Sequence, residues 1–122
     1  MGPDELLAVL PEADWVVITA PLTPETRHLI GARELAATKP TACIINIGRG
    51  AIIDQEALIA ALRAGRLGGA GLDVTTPEPL PADAPLWDLD NVIISPHYSG
   101  STPAYEERAF ALFEENLRRY LV

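Results

Sequence analysis

The chain contains a single cysteine, Cys43, so no disulfide can form within it. The start, Met1-Gly2-Pro3-Asp4-Glu5, is acidic where a secretion signal would be basic. Together these predict a reducing, cytoplasmic setting. Lys39 is the only lysine, which excludes a polybasic membrane patch. Nine basic residues against 17 acidic ones give a net charge of −8, a surface that repels phosphate backbones and argues against nucleic acid as a partner. Long apolar runs are missing too. Stretches such as 15–20 and 42–45 fall far short of the roughly 20 residues a membrane helix needs. No metal site is expected.

What remains is an ordinary globular mix, 48% hydrophobic and 21% charged, in 122 residues. That length fits one domain. The chain alternates short apolar strands with helical segments. Asp4–Leu10 reads as a helix stopped by Pro11. Trp15–Thr19, Ala42–Ile47, Gly69–Val74 and Asn91–Ser95 read as four strands, apolar enough to be covered on both faces. Ala32–Ala37 reads as a short helix. Asp54 caps another, which carries Ala57, Leu58, Ala61 and Leu62 at helical spacing and ends at Gly65. A proline-dense loop, with Pro77, Pro79, Pro81 and Pro85, precedes the fourth strand. The last helix has Thr102 as its cap and Pro103 in its first turn. It carries an apolar stripe of Tyr105, Ala109, Leu112, Phe113, Leu117, Tyr120 and Leu121. The pattern predicts an α/β fold, a partial Rossmann-like half domain of about four mainly parallel strands with helices on its faces.

In such sheets, ligands bind beyond the carboxyl ends of the strands. Those ends carry Asn46-Ile47-Gly48-Arg49-Gly50 after the second strand, Asp73 and then Glu78 after the third, and Pro96-His97-Tyr98-Ser99-Gly100 after the fourth. Arg49, Asp73, Glu78 and His97 are therefore predicted to gather at one edge. An arginine grips a carboxylate in two parallel hydrogen bonds. A histidine beside a carboxylate exchanges a proton near neutrality. Each residue also has a plainer reading: Arg49 at the surface, Asp73 as a turn cap, Glu78 solvated, His97 packed in a turn. His28 reads as surface and Cys43 as core. The convergence of the four carries the functional reading.

Six segments in order resemble the cofactor-binding domain of the D-isomer-specific 2-hydroxyacid dehydrogenases. They are Ala13–Val17, Pro21–Thr26, Ile45–Gly50, Gly69–Val74, Pro77–Pro81 and Asn91–His97. The wording of Val74–Pro81 is most similar to glyoxylate and hydroxypyruvate reductases. The resemblance implies NAD or NADP as cofactor and a small 2-keto or 2-hydroxy acid as substrate. It implies that Arg49 holds the substrate carboxylate, that His97 passes a proton to the carbonyl oxygen, and that Glu78 hydrogen-bonds His97. It also implies that Asp73 contacts the nicotinamide carboxamide, and that Pro21, Thr26, Ile47, Gly48 and Gly100 line the cofactor cleft.

The glycine fingerprint G-x-G-x-x-G occurs nowhere in the sequence; Gly48-Arg49-Gly50 is followed by Ala51-Ile52-Ile53. Residues 1–122 are therefore expected to form the second half of a nucleotide-binding domain, without a substrate-binding domain and inactive alone. The rival expectations are a folded remnant without chemistry and a module that binds small carboxylates. In the strand order 3-2-1-4-5-6, Trp15–Thr19 taken as the third strand loses its neighbours, and Ala42–Ile47 loses one. A homodimer is expected to cover these edges, unless the first strand moves over beside Ala42–Ile47.

Overall fold

The computed structural model describes residues 3–121. Four short strands, β1 (Trp15–Ile18), β2 (Cys43–Asn46), β3 (Gly69–Leu72) and β4 (Val92–Ile94), form one sheet in the order β1-β2-β3-β4. Every pairing is parallel, as the expected α/β half domain requires. The register sets Val17 beside Ile45, Ile45 beside Gly71, and Gly71 beside Ile93. The helices are α1 (Pro3–Val9), α2 (Ala32–Ala37), α3 (Gln55–Arg63) and α4 (Tyr105–Tyr120).

One expectation about the edges is corrected. β1 lies directly against β2, with Trp15 opposite Cys43 and Ile18 opposite Asn46, so neither strand is deprived of its partner. The sheet continues stepwise in one direction, and only the outer edges of β1 and β4 end it. Stepwise parallel pairing needs a crossover after each strand, and right-handed crossovers of one direction put their helices on one face.

That face carries the core. Ile18, Ile44, Ala70 and Leu72 point into it and are buried against Leu35 of α2 and Leu58, Ala61 and Leu62 of α3. Leu6 of α1 packs at its margin, and Leu10 is buried in the 3-10 turn Leu10–Glu12 that follows. That turn includes Pro11, so the chain tightens there after α1 instead of stopping. The opposite face is open, against the expectation of cover on both sides. Trp15, Val17 and Ile93 are 64%, 55% and 77% exposed. Strand side chains alternate between faces, so this open face is the other half of the same apolar runs.

Local signals account for the rest. Asp54 caps α3, its Oδ1 accepting the Ala57 N–H at 3.1 Å. Gly65, at φ 64°, turns the chain away after α3, a conformation that favours glycine. The Pro77–Pro85 loop is closed by the Trp87 indole N–H, which donates to the Pro81 carbonyl at 2.8 Å. The last helix starts later than its cap signal indicates. Thr102 contributes its carbonyl, which accepts the Tyr105 N–H at 2.9 Å, so Thr102 and Pro103 belong to the turn before α4. The apolar stripe of α4 is exposed throughout.

Candidate active site

The site is built where β2, β3 and β4 end. At the end of β2 the buried Asn46 ties the following loop into a tight bend. Its Oδ1 accepts the Gly48 N–H at 3.1 Å, and its Nδ2 donates to the Arg49 carbonyl at 3.0 Å. Arg49 Nη1 donates to the Gly48 carbonyl at 2.7 Å, which folds the guanidinium back along the loop. Two glycines permit the bend. A Cβ on Gly48 would lie 2.7 Å from the Ala20 carbonyl oxygen, and one on Gly50 would lie 2.0 Å from the Thr75 carbonyl oxygen. The backbone after β2 is thus pressed between the chain segments leaving β1 and β3.

Asp73 follows β3, and its amide donates to the Asn46 carbonyl at 3.0 Å. The residue is 3% exposed, and its carboxylate accepts three hydrogen bonds. Oδ1 accepts the Ser95 hydroxyl at 2.7 Å and the Tyr98 N–H at 3.0 Å; Oδ2 accepts the Ser99 N–H at 2.9 Å. Burial alone pushes this carboxyl up. The hydroxyls of Ser99 and Ser95 and the amides of Ser99 and Tyr98 outweigh burial and hold it well below the usual carboxylate range.

Glu78 stands in the loop after β3 and His97 in the loop after β4, yet the Nδ1 of His97 meets the Oε1 of Glu78 in a hydrogen bond. A carboxylate only accepts, so the ring proton resides on Nδ1 and leaves Nε2 as the nitrogen for exchange. His97 sits at φ 54°. Its amide donates to the Ser95 carbonyl at 3.0 Å.

Arg49, Asp73, Glu78 and His97 line one cleft of about 700 Å³, together with Leu80 and Trp87. The four residues that the strand-end argument brings together are therefore together. Arg49 also borders two neighbouring hollows. One, of about 430 Å³, is lined by Pro21, Ile47 and Gly48; the other, of about 480 Å³, by Ile47, His97 and Gly100. Thr26 lines none of the three. Its hydroxyl donates to the Pro21 carbonyl at 2.8 Å and accepts the Thr23 N–H at 2.7 Å, so it shapes the loop bearing Pro21 from behind. His28 is exposed, and its amide bonds the Ala51 carbonyl at 2.9 Å, outside the cleft. Cys43 is half-buried on the open sheet face, opposite Trp15 and Gly69, rather than in the core. Sequence reasoning gave no role to Asn46, Ser95 or Ser99. The available signal was a polar residue at the end of each of two apolar strands. Among the described residues no cluster of histidine, cysteine and carboxylates could hold a metal ion, and no helix is long and apolar enough to cross a membrane.

Known proteins resemble this chain in sequence and in fold. Residues 1–99 match the family described as D-isomer specific 2-hydroxyacid dehydrogenase, NAD binding domain. The chain is 54% identical over 98 residues to glyoxylate/hydroxypyruvate reductase B of Pectobacterium carotovorum, covering 80% of this chain and 31% of that protein. It is 45% identical over 113 residues to the enzyme of the same name from Salmonella newport, covering 93% and 35%. It thus spans about a third of the length of the curated relatives it matches. Among solved structures, a D-isomer specific 2-hydroxyacid dehydrogenase from Xanthobacter autotrophicus Py2, in complex with NADPH and MES, superposes with a TM-score of 0.89 at 43% identity, over 96% of this chain and 48% of that one. The NADPH-dependent glyoxylate/hydroxypyruvate reductase of Sinorhizobium meliloti superposes with a TM-score of 0.76 at 35% identity, over 83% and 53%. With the family matched across most of its length, the chain belongs to the NAD-binding domain family of the D-isomer specific 2-hydroxyacid dehydrogenases.

Proposed function

We propose that this chain is the catalytic half of the cofactor domain of an NAD(P)-dependent reductase acting on small 2-keto acids, with glyoxylate and hydroxypyruvate as the substrate class. The observation that carries this reading is the placement of Arg49 and the His97–Glu78 pair in one cleft, reached from three different strand ends. An exposed guanidinium beside an imidazole already held by a carboxylate suits a substrate with a carboxylate next to a carbonyl. Arg49 binds the carboxylate in a bidentate pair and draws electron density from the adjacent carbonyl. His97, protonated at Nε2, donates to the carbonyl oxygen as it becomes a hydroxyl. Glu78 keeps the ring oriented through Nδ1.

The hollows beside Arg49 fit the nicotinamide end of a dinucleotide. The backbone at Gly48 runs so close to Ala20 that no side chain fits between them, and the exposed Ile47 offers an apolar surface for a flat ring. Pro21, Ile47, Gly48 and Gly100 would hold that end, with Thr26 bracing the Pro21 loop. The bound cofactor supplies hydride to the carbonyl carbon. The sequence contains no glycine fingerprint for the pyrophosphate, so NAD and NADP are both retained. Residues 1–122 act as one cofactor-domain unit.

It follows that the 122 residues by themselves turn over far more slowly than about 1 per second, the low end of ordinary enzymes. The test is oxidation of NADH and NADPH with glyoxylate or hydroxypyruvate at high protein concentration. Turnover at or above that rate would show that the chain needs no further residues. The reading places the protein in the cytoplasm, consistent with its single cysteine.

The same reading includes a two-fold homodimer. Its motive is no longer a broken sheet but the exposed apolar surface: Trp15, Val17 and Ile93 on the open face and Phe113, Leu117 and Tyr120 on α4. Burial of apolar surface at about 25 cal/mol per Å² drives such association. Light scattering is expected to give twice the chain's 13.1 kDa. A mass that stays at the monomer value on concentration would exclude the dimer.

A further inference from the structure

Resting on the reductase reading, we infer that Asp73 is the positioning residue that fixes His97, acting through the backbone on both sides of it. The resemblance gives Asp73 a contact with a bound nicotinamide, but three of the roughly four acceptor positions of its carboxylate are already filled from inside the protein. Oδ1 takes two donors, from Ser95 and Tyr98, and Oδ2 takes the Ser99 amide. These residues flank His97: Ser95 two positions before it, Tyr98 and Ser99 one and two after. One buried carboxylate at the end of β3 thus staples the whole 95–99 loop.

The staple holds the loop on which His97 must meet its partner. At φ 54° His97 occupies the left-handed region, as His28 does at φ 53°, a conformation uncommon for residues with a side chain though less so for histidine. The partner it must meet, Glu78, sits on the other loop, the one that leaves β3 just after Asp73. That loop is held in turn by the Thr75 hydroxyl on the Pro77 carbonyl at 3.0 Å and by the Thr76 amide on Gln55 Oε1 at 2.9 Å. Asp73 is therefore the junction of the two loops that present the His97–Glu78 pair. An asparagine in its place keeps the shape but sets an amide N–H₂ or a lone carbonyl against three or more donors, so at least one bond is lost.

The experiment is long-range proton–nitrogen NMR of the imidazole rings in the 122-residue chain, at a pH where they are neutral, with exposed His28 as internal reference. In the unsubstituted protein His97 is expected in the Nδ1–H tautomer, and Glu78→Ala is expected to abolish that preference. Asp73→Asn is expected to lose it as well while His28 stays unchanged; Asp14→Asn, which removes an equal charge elsewhere, is expected to leave His97 as it was. A structural role confined to stability would not move the tautomer. Retention of the Nδ1–H form in folded Asp73→Asn overturns the inference and leaves the reductase reading standing. No change in Glu78→Ala removes the His97–Glu78 pair and, with it, the reductase reading. Where Asp73→Asn does not fold, Ser95→Ala decides: partial loss of the Nδ1–H form supports the staple, and an unchanged tautomer overturns it.

Discussion

Replacing His97 by asparagine, in a protein that joins this sequence to complete cofactor and substrate domains, is expected to lower kcat by about 10²- to 10⁴-fold, the usual contribution of a positioned general acid. KM for the 2-keto acid is expected to stay within a few-fold, because the proposed anchor of the carboxylate is Arg49, on a different loop. The geometry gives the reason for the split. His97 reaches the cleft from β4 and Arg49 from β2, and no hydrogen bond joins their side chains among those described. On the proposed roles, removing the imidazole removes proton transfer and leaves the substrate's anchor in place. Steady-state kinetics at saturating cofactor checks this. An unchanged kcat would remove the general-acid role, and a loss confined to KM would make His97 a binding residue.

Gly50→Ala is expected to destabilise the fold by about 3 kcal/mol, at the upper end of the range for overpacked sites. The added methyl would sit 2.0 Å from the Thr75 carbonyl oxygen and 2.3 Å from its carbon. Both are backbone atoms, so no side-chain rotation relieves the clash. Thr75 is buried, and its neighbour Thr76 is bonded to Gln55 of α3, so the far wall resists displacement. The site suffers along with the fold, since moving Gly50 away from Thr75 moves Arg49 away from the loop that carries Glu78. Urea denaturation measures the cost. A midpoint equal to that of the unsubstituted protein would mean that the two segments part freely.

The existence and direction of the elements were legible in the sequence for physical reasons. Val16, Val17 and Ile18, or Ile44 and Ile45, are stiff β-branched runs bounded by proline or glycine, and such runs have few alternatives to a buried strand. Asp54 and Gly65 bracket α3 through local backbone chemistry that is independent of the rest of the chain. The neighbour of β1 was not legible, because strand order depends on crossovers and not on the strand's own residues. Nor was the open sheet face: a four-residue apolar strand reads the same whether one or both of its faces are covered. Trp15 and Ile93 differ from Ile44 only in where the helices lie. At α4, Thr102-Pro103 is a sound helix-start signal, yet the turn closed by the Thr102 carbonyl uses the same residues to delay the helix.

The gathering of Arg49, Glu78 and His97 was legible because parallel strands all present their carboxyl ends to one edge. The scaffolding beneath them was not. Asn46 fixes the Arg49 loop by bonding backbone groups two and three residues ahead, a local habit of asparagine that leaves no trace of what it serves. Ser95 and Ser99 acquire meaning only once the fold sets Asp73 between them. A carboxylate at a strand end looks equally available to a ligand or to the protein; only the fold shows the three donors that the protein itself sets around Asp73.

The central claim is that Arg49 and the His97–Glu78 pair form one site for a small 2-keto carboxylate. It is tested most directly by titrating the 122-residue chain with oxalate, an unreactive dicarboxylate of that shape, while following backbone amide resonances. The account predicts saturable shifts confined to residues 48–50, 78 and 97–100, and their loss in Arg49→Gln. Shifts spread over the surface, or saturable shifts that survive Arg49→Gln, would contradict it.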